Sequence, residues 1–467
     1  MSIKDLFNRE LKVVNVGLSS FRETLQELGV DSVQVDWRPP MELGGDYWPK
    51  VTKNKNEIQA ANEKAIDIVL RGSAFLVGLA QARDVLPGMK SNSIFHAGPP
   101  INWERMCGPM KGAVLGALLY EGMAESPEEA EKLAASGKIE FSPCHEHNAV
   151  GPMAGIISPT MPVFIIKNET FGNQAYCTLN EGLGKVLRYG AYGPEVIKKL
   201  KWMEEILYPT LKAAVASIGK IDLKSIIAQA LHMGDEVHNR NRAATSLFYR
   251  NIAPHIVKTA RDKDVTVSVL DFINGNDHFF LNLSMPTSKV LLDAARNIPN
   301  SSLAVVMARN GTEFGVQLSG TGNDWFTGPA PVPDALFFAG FSKKDANPDI
   351  GDSAITETAG LGGFAIAASP AIVQFVGGSS RDSINYTLQM YEITVAENRL
   401  FQIPNLNFRG TPTGIDVLKI VEKNIFPFID TGVAHREPGV GQVGAGVVSA
   451  PAEPFKKAAE AFVKKLN

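Results

Sequence analysis

Glycine and proline interrupt this chain so often that no apolar segment runs far before it turns. There are 42 glycines and 28 prolines in 467 residues, with no repeat period. That pattern demands many shaped turns between short elements and excludes collagen-like or low-complexity folds. The longest apolar runs, such as IISPTMPVFII at 156–166, are broken by proline. They fall short of the about 20 residues a membrane span needs, so membrane insertion is not expected. A hydrophobic fraction of 45% provides for a sizeable core and excludes disorder. At about 150 residues per domain, the length predicts about three domains. Basic and acidic residues number 46 and 49, for a net charge of −3 with no basic block. A nucleic-acid partner is therefore not expected.

Cys107, Cys144 and Cys177 are an odd number of well-separated cysteines with no C-x-x-C pair, as expected of thiols in a reducing cytoplasm. The start, MSIKDLFNRELKVVNVG, alternates charged and apolar residues and has no signal-peptide pattern.

Hydrophobic periodicity divides the chain into four segments. KVVNV, FRETLQELG and VDSVQVDW read as strand, helix and strand; a helix over 54–71 and the strand AFLVGL follow. Residues 1–90 are thus expected to form a small doubly wound, Rossmann-like α/β domain. Residues 91–180 read as an α+β segment, with a helix at 112–122, the acidic helix SPEEAEKLAASG and the polar cluster CHEHN. Residues 181–262 read as a mostly helical domain. Residues 263–467 read as a Gly-rich α+β domain, in which strands such as SLAVVMAR and AIVQFVGG alternate with GT, GTGND and GLGG turns. KKAAEAFVKKL predicts an amphipathic terminal helix that docks on the protein. The expected class is therefore a multidomain α/β plus α+β protein.

Five stretches could carry chemistry. In CHEHN, the H-x-H spacing would put His145 and His147 on one side of an extended strand, suiting a divalent metal or a substrate. On a helical reading of GDEVHNRNRAAT, His238, Asn241 and Arg242 share a face as anion donors, and Arg240 points elsewhere. In RNGTEFGVQLSGTGND, Glu313 and Asp324 sit among glycines, including Gly311 and Gly320, whose N–H groups could cradle an anion. In GDSAITETAGLGG, Asp352 or Ser353 could cap a helix while Glu357 faces a site beside Gly362. In GGSSRDSINYT, Arg381 and Asp382 follow a glycine turn. Each also has an ordinary structural reading, as interface loop, solvated helix face or turn. PGVGQVGAG matches G-x-G-x-x-G, but no strand immediately precedes it and the chain ends before a β-α-β unit can close, so it is rejected as a dinucleotide fingerprint. P-loop, G-x-S-x-G and H-E-x-x-H motifs are absent.

HAGPPINWERMCGPMKGA, GPMAGIISPTMPV, GDEVHNRNRAATSLF, ARNGTEFGVQLSG, GDSAITETAGLGGFA and FRGTPTGIDVLKIVEKNIFPFIDTGVAH occur in order along nearly the whole chain. Together they resemble the YlbE/YahG-like family. The resemblance implies a Rossmann-type N-terminal domain with helical and α+β domains. One branch of the family is the large subunit of oxamate carbamoyltransferase, which implies reversible phosphorolysis of oxalurate to oxamate and carbamoyl phosphate in anaerobic allantoin breakdown. It also implies partners, an FdrA-like subunit and a small third subunit, in a cytoplasmic assembly that could include further copies of this chain.

That reaction needs an anion clamp, oxyanion donors and an acid/base group, and no cofactor or metal is expected for it. By residue chemistry, Arg240, Arg242 and Arg381, with His238 and Asn241, would hold phosphate or carboxylate. His145 or His147 would shuttle the proton, with Glu313 a further catalytic candidate. The glycine loops at 311–322 and 360–363 would donate N–H groups. Two other readings stand beside this one: a non-catalytic subunit positioning an FdrA-like partner, and a metal-dependent amidohydrolase-type enzyme using His145 and His147.

Overall fold

The structure is a computed structural model that describes residues 12–35, 37–372 and 377–466. The chain before Lys12 and the centre of the AIVQFVGG strand reading, 373–376, lie outside these residues.

The expected β-α-β opening is present, with Lys12–Val16 and Asp31–Val35 pairing in parallel around helix Ser19–Glu27. The expected third strand goes elsewhere. Phe75–Gln81 lies between Pro162–Lys167 and Ile221–Asp222 in an antiparallel sheet whose outer strand is Gln174–Thr178. An apolar strand pairs where its side chains can be covered, and PVFIIK offers such a buried partner. On the first two strands Val14, Val16 and Val33 are all exposed. Among the described residues no doubly wound layer forms there. Among the described residues the chain is a mixed helix-and-sheet protein with six small sheets.

Helices form where local signals agree. Ser126 caps Pro127–Ala135, the expected acidic helix, by accepting the Glu129 N–H. The helical run continues past 262, because Asp262 accepts the Val265 N–H and starts Lys263–Asn274. Leu281–Asp293 follows, and nearly all of its residues are buried, as in a helix packed on every side.

The largest apolar cluster runs from Ala65 to Ala434 and so draws on all four sequence segments. A second cluster packs Phe455 and Phe462 of the terminal helix Ala452–Lys465 against Met307, Phe314 and Val316. Those residues lie on Ala304–Asn310 and Glu313–Leu318, the inner strands of a four-stranded sheet whose edges are Phe326–Pro329 and Ile350–Gly351. Strand Phe428–Ala434 belongs to a neighbouring three-stranded sheet. These elements and helix Leu281–Asp293 surround the segment from Ile350 to Gly363.

Close approach decides one glycine in a buried helix. Helix Gly108–Tyr120 lies against the turn Leu187–Tyr189, and a Cβ on Gly112 would stand 2.2 Å from the Gly190 carbonyl oxygen. Helix propensity alone favours Gly112→Ala by about 1 kcal/mol. Overpacking costs about 1–3 kcal/mol, and the variant should therefore lose stability in urea unfolding. Gly44→Ala, with nothing within 4 Å, should not. A Gly112→Ala protein more stable than wild type would show that the approach is not required.

Candidate functional site

The H-x-H pair is split by its backbone. Cys144–His147 is a 3-10 turn, not an extended strand, so the two imidazoles leave it in different directions. His147 stacks on Phe95 at 3.7 Å, and its ring nitrogens lie 2.6 Å from the Pro87 carbonyl and 2.7 Å from the Ser142 hydroxyl. Local structure thus occupies both of its nitrogens. His145 is buried in the centre of the protein.

There it meets Asp352 and Lys289. The Asp352 carboxylate accepts N–H bonds from Gly98 at 2.8 Å and Gly151 at 3.0 Å. Gly351, at φ +137°, lets these loops close, since a Cβ there would lie 2.9 Å from the Met153 nitrogen. His145 Nε2 is 3.4 Å from Asp352 Oδ1, and Lys289 Nζ is 3.4 Å from His145 Nδ1. Burial, with the Lys289 and Arg296 charges, holds the His145 pKa well below its usual value. Burial likewise raises Asp352 to about 7, against the pull of its two N–H donors. Lys289 is lowered by burial, partly offset by Asp293. The result is a neutral imidazole between an ammonium and a carboxyl that titrates near neutrality, an arrangement suited to moving a proton.

Positive charge continues from this relay. Asp293 accepts from both Lys289, at 2.7 Å, and Arg296, at 2.6 Å. Burial opposes its charge, but the two cations outweigh burial and hold its pKa down. Arg296 Nη2 is buried with no hydrogen-bond partner among the described residues. Trp325 stands edge-on over His145 at 6.0 Å, and its Nε1 donates to Glu146 at 3.3 Å.

The GDEVHNRNRAAT stretch is a turn until helix Arg242–Thr259 begins, so the expected shared helix face does not exist. Helix Leu223–His232 stops before Gly234, at φ +90°, and the Asp235 carboxylate accepts the Ala244 N–H of the next helix. Val237 has φ +60°, an uncommon conformation for a β-branched residue. The turn buries His238, whose Nδ1 lies 2.7 Å from Glu357 Oε1 and 2.9 Å from Asp430 Oδ1. Burial pushes this imidazole down, but the two carboxylates outweigh it and hold its pKa at about 10. Glu236 accepts the N–H groups of His238 and Arg240.

The remaining candidates are dispersed. Arg240 pairs with Asp235 at 3.3 Å, and Asn241 donates to the His238 carbonyl. Arg242 is exposed, 3.8 Å from Asp277, and Arg381 is exposed on the first turn of Ser380–Glu392. Glu313 pairs with Arg105 at 3.2 Å. The glycine loops serve the protein itself. Gly363 donates to Glu357, Gly320 donates to the Ser301 carbonyl, and Gly311 is set against Cys107 and Asn347. A Cβ on Gly362 would lie 2.2 Å from Glu357 Oε1.

Sequence reasoning missed Lys289, Arg296 and Asp430. Their signals were a lysine inside the buried helix pattern SMPTSKVLLD, with Asp293 four residues on, and an aspartate inside the strand FIDTGVA.

Residues 139–353, which hold all three residues of the relay, match the family model described as oxamate carbamoyltransferase subunit AllG. The chain is 45% identical over 461 residues to the uncharacterized protein YahG of Escherichia coli, covering 97% of this chain and 98% of that one. It is 43% identical over 413 residues to the oxamate carbamoyltransferase subunit AllG of Escherichia coli, covering 88% of this chain and 99% of that one. The chain belongs to the YahG/AllG-like family. A crystal structure of a conserved protein of unknown function from Enterococcus faecalis superposes with a TM-score of 0.87 at 49% identity, over 88% of this chain and 99% of that one. This YahG/AllG-like chain is thus longer than two of these relatives. Among its described residues no helix is long and apolar enough to cross a membrane.

Because Asp352 is raised from 3.8 to about 7, its protonated form belongs to the folded state. The stability this contributes is full below about pH 4 and is lost as pH rises through about 7. Asp352→Asn fixes the neutral form, so urea unfolding of this variant should lose less stability than wild type between those limits. Parallel profiles would mean that Asp352 titrates as an ordinary carboxyl.

Proposed function

We propose that this chain is the large subunit of a carbamoyltransferase that interconverts oxalurate plus phosphate with oxamate plus carbamoyl phosphate. It works with an FdrA-like subunit and a small third subunit in the cytoplasm, in anaerobic allantoin breakdown. AllG, a relative matched along nearly its whole length, supports the reaction class. The observation that carries the chemistry is the buried Lys289–His145–Asp352 relay.

In the forward direction a phosphate oxygen bonds to the ureido carbonyl carbon and the bond from that carbon to the oxamate nitrogen breaks. The proton that phosphate loses must reach the departing nitrogen. A neutral His145 beside an Asp352 titrating near pH 7 can take up and return that proton without becoming trapped in either state. Lys289 and Arg296, two cations on the single Asp293 carboxylate, provide the positive charge for phosphate or the oxamate carboxylate. They replace Arg240, Arg242 and Arg381 in the clamp. Trp325 and its loop, which cover His145, would move when substrate or a partner subunit binds.

The test is carbamoyl phosphate formation from oxalurate and phosphate by the chain assembled with its two partners. His145→Gln and Asp352→Asn should each lower kcat by about 100- to 10,000-fold. Lys289→Met and Arg296→Met should raise the phosphate or oxalurate KM. Full turnover in an assembled complex carrying His145→Gln would remove the relay from the chemistry.

A further inference from the structure

Two fully buried carboxylates, Glu357 and Asp430, converge on the imidazole of His238, and a third, Glu236, accepts the backbone N–H of the same residue. Glu236 is already satisfied by two backbone N–H groups, and Glu357 accepts from Thr356, from the Gly363 N–H and from His238 Nδ1. Asp430 differs. It has no solvent exposure, and apart from the 2.9 Å ion pair of Oδ1 with His238 Nδ1 neither of its carboxylate oxygens has a hydrogen-bond partner among the described residues. The single hydrogen on His238 Nδ1 cannot point at both neighbours, of which Glu357 at 2.7 Å is the nearer. A buried carboxylate short of hydrogen bonds is costly to keep, and a single imidazole shared with Glu357 offsets that cost only in part.

We propose that His238 Nδ1, Asp430 and Glu357 bind one divalent first-row cation, with Glu236 behind the turn that presents the histidine. A cation in place of the Nδ1 proton contacts all three groups at once, which a proton cannot do. The ligand atoms lie within 4.8 Å of one another. Metal–ligand bonds of about 2.0–2.2 Å put adjacent ligand atoms about 3 Å apart, matching the 2.7 Å and 2.9 Å from Nδ1 to the two carboxylates. One imidazole with two carboxylates is a borderline-to-hard set that suits Mn²⁺ or Zn²⁺. Gly362 keeps the ligand in place from behind, since any side chain there would strike Glu357 Oε1. The sequence placed its metal alternative on His145 and His147 and expected no metal for the carbamoyl chemistry. The geometry moves that alternative to residues about 90 or more positions further along the chain.

The experiment uses the full chain alone, stripped with a chelator, so its outcome does not depend on carbamoyl transfer. Mn²⁺ is titrated by electron paramagnetic resonance and Zn²⁺ by calorimetry. The expected result is one site per chain, a rise in Tm on loading, and nitrogen coupling to bound Mn²⁺ from one imidazole. Asp430→Asn, nearly unchanged in shape, should abolish uptake while keeping the wild-type circular dichroism spectrum, and His147→Gln should bind as wild type does. The nitrogen coupling is read on the wild type and decides the matter even if Asp430→Asn does not fold. No uptake by the stripped chain, bound Mn²⁺ without nitrogen coupling, or uptake retained by a folded Asp430→Asn would each overturn the site.

Discussion

The buried pair between Arg309 and Asp349 is the constraint on which the centre of this protein depends. Arg309 Nε and Nη2 grip Asp349 at 2.7 and 3.1 Å, a two-point bond with neither side chain exposed. Its Nη1 donates to the Gly351 carbonyl at 2.7 Å, and Thr431 donates to the same aspartate at 2.9 Å. One guanidinium therefore ties three strands together and sets where residue 352 begins. Charges removed from water this far must be fully bonded or they destabilise the fold, and the fork geometry of arginine meets that demand where lysine could not.

From that anchor a single short segment serves two places. Asp352 turns toward the Gly98 and Gly151 loops and His145, while Glu357, five residues on, turns toward His238 and Asp430. Small residues make this possible. Gly351 admits the Met153 backbone, and Gly362 admits the Glu357 and His238 side chains, where any side chain of its own would collide. Of the glycine loops that suggested anion cradles in the sequence, the one at 360–363 is spent on holding the protein's own Glu357.

Local signals were legible. The helix over 54–71, the acidic helix after Glu125, the first parallel strand pair and the docked terminal helix all follow from periodicity, which acts within a few residues. The partner of Phe75–Gln81 was not legible, because it is set by which distant apolar strand can cover it. The site divides in the same way. His145 and His238 were found as chemically suggestive residues, but their expected backbones were wrong. An H-x-H reads as a strand only if its segment is extended, and Cys144–His147 is a 3-10 turn. Lys289 was invisible because a lysine in a helix ordinarily faces water, and only the packing of a helix buried on every side reverses that expectation.

The two clusters differ in the sign of what they lack. Around His145, Lys289 and Arg296 face Asp293 and an Asp352 that is partly protonated near neutral pH, so the balance is neutral to positive and an anion is welcome. Around His238, three carboxylates gather about one residue, two of them sharing its imidazole and Asp430 holding no other partner among the described residues, so the balance is negative and a cation is welcome. A low-dielectric interior magnifies both imbalances. The rigid segment that carries Asp352 and Glu357 joins them, so a charge bound at one would bear on the backbone that positions the other. A cation at His238 would thereby steady the turn leading to Asp352, where an anionic substrate has its proton moved.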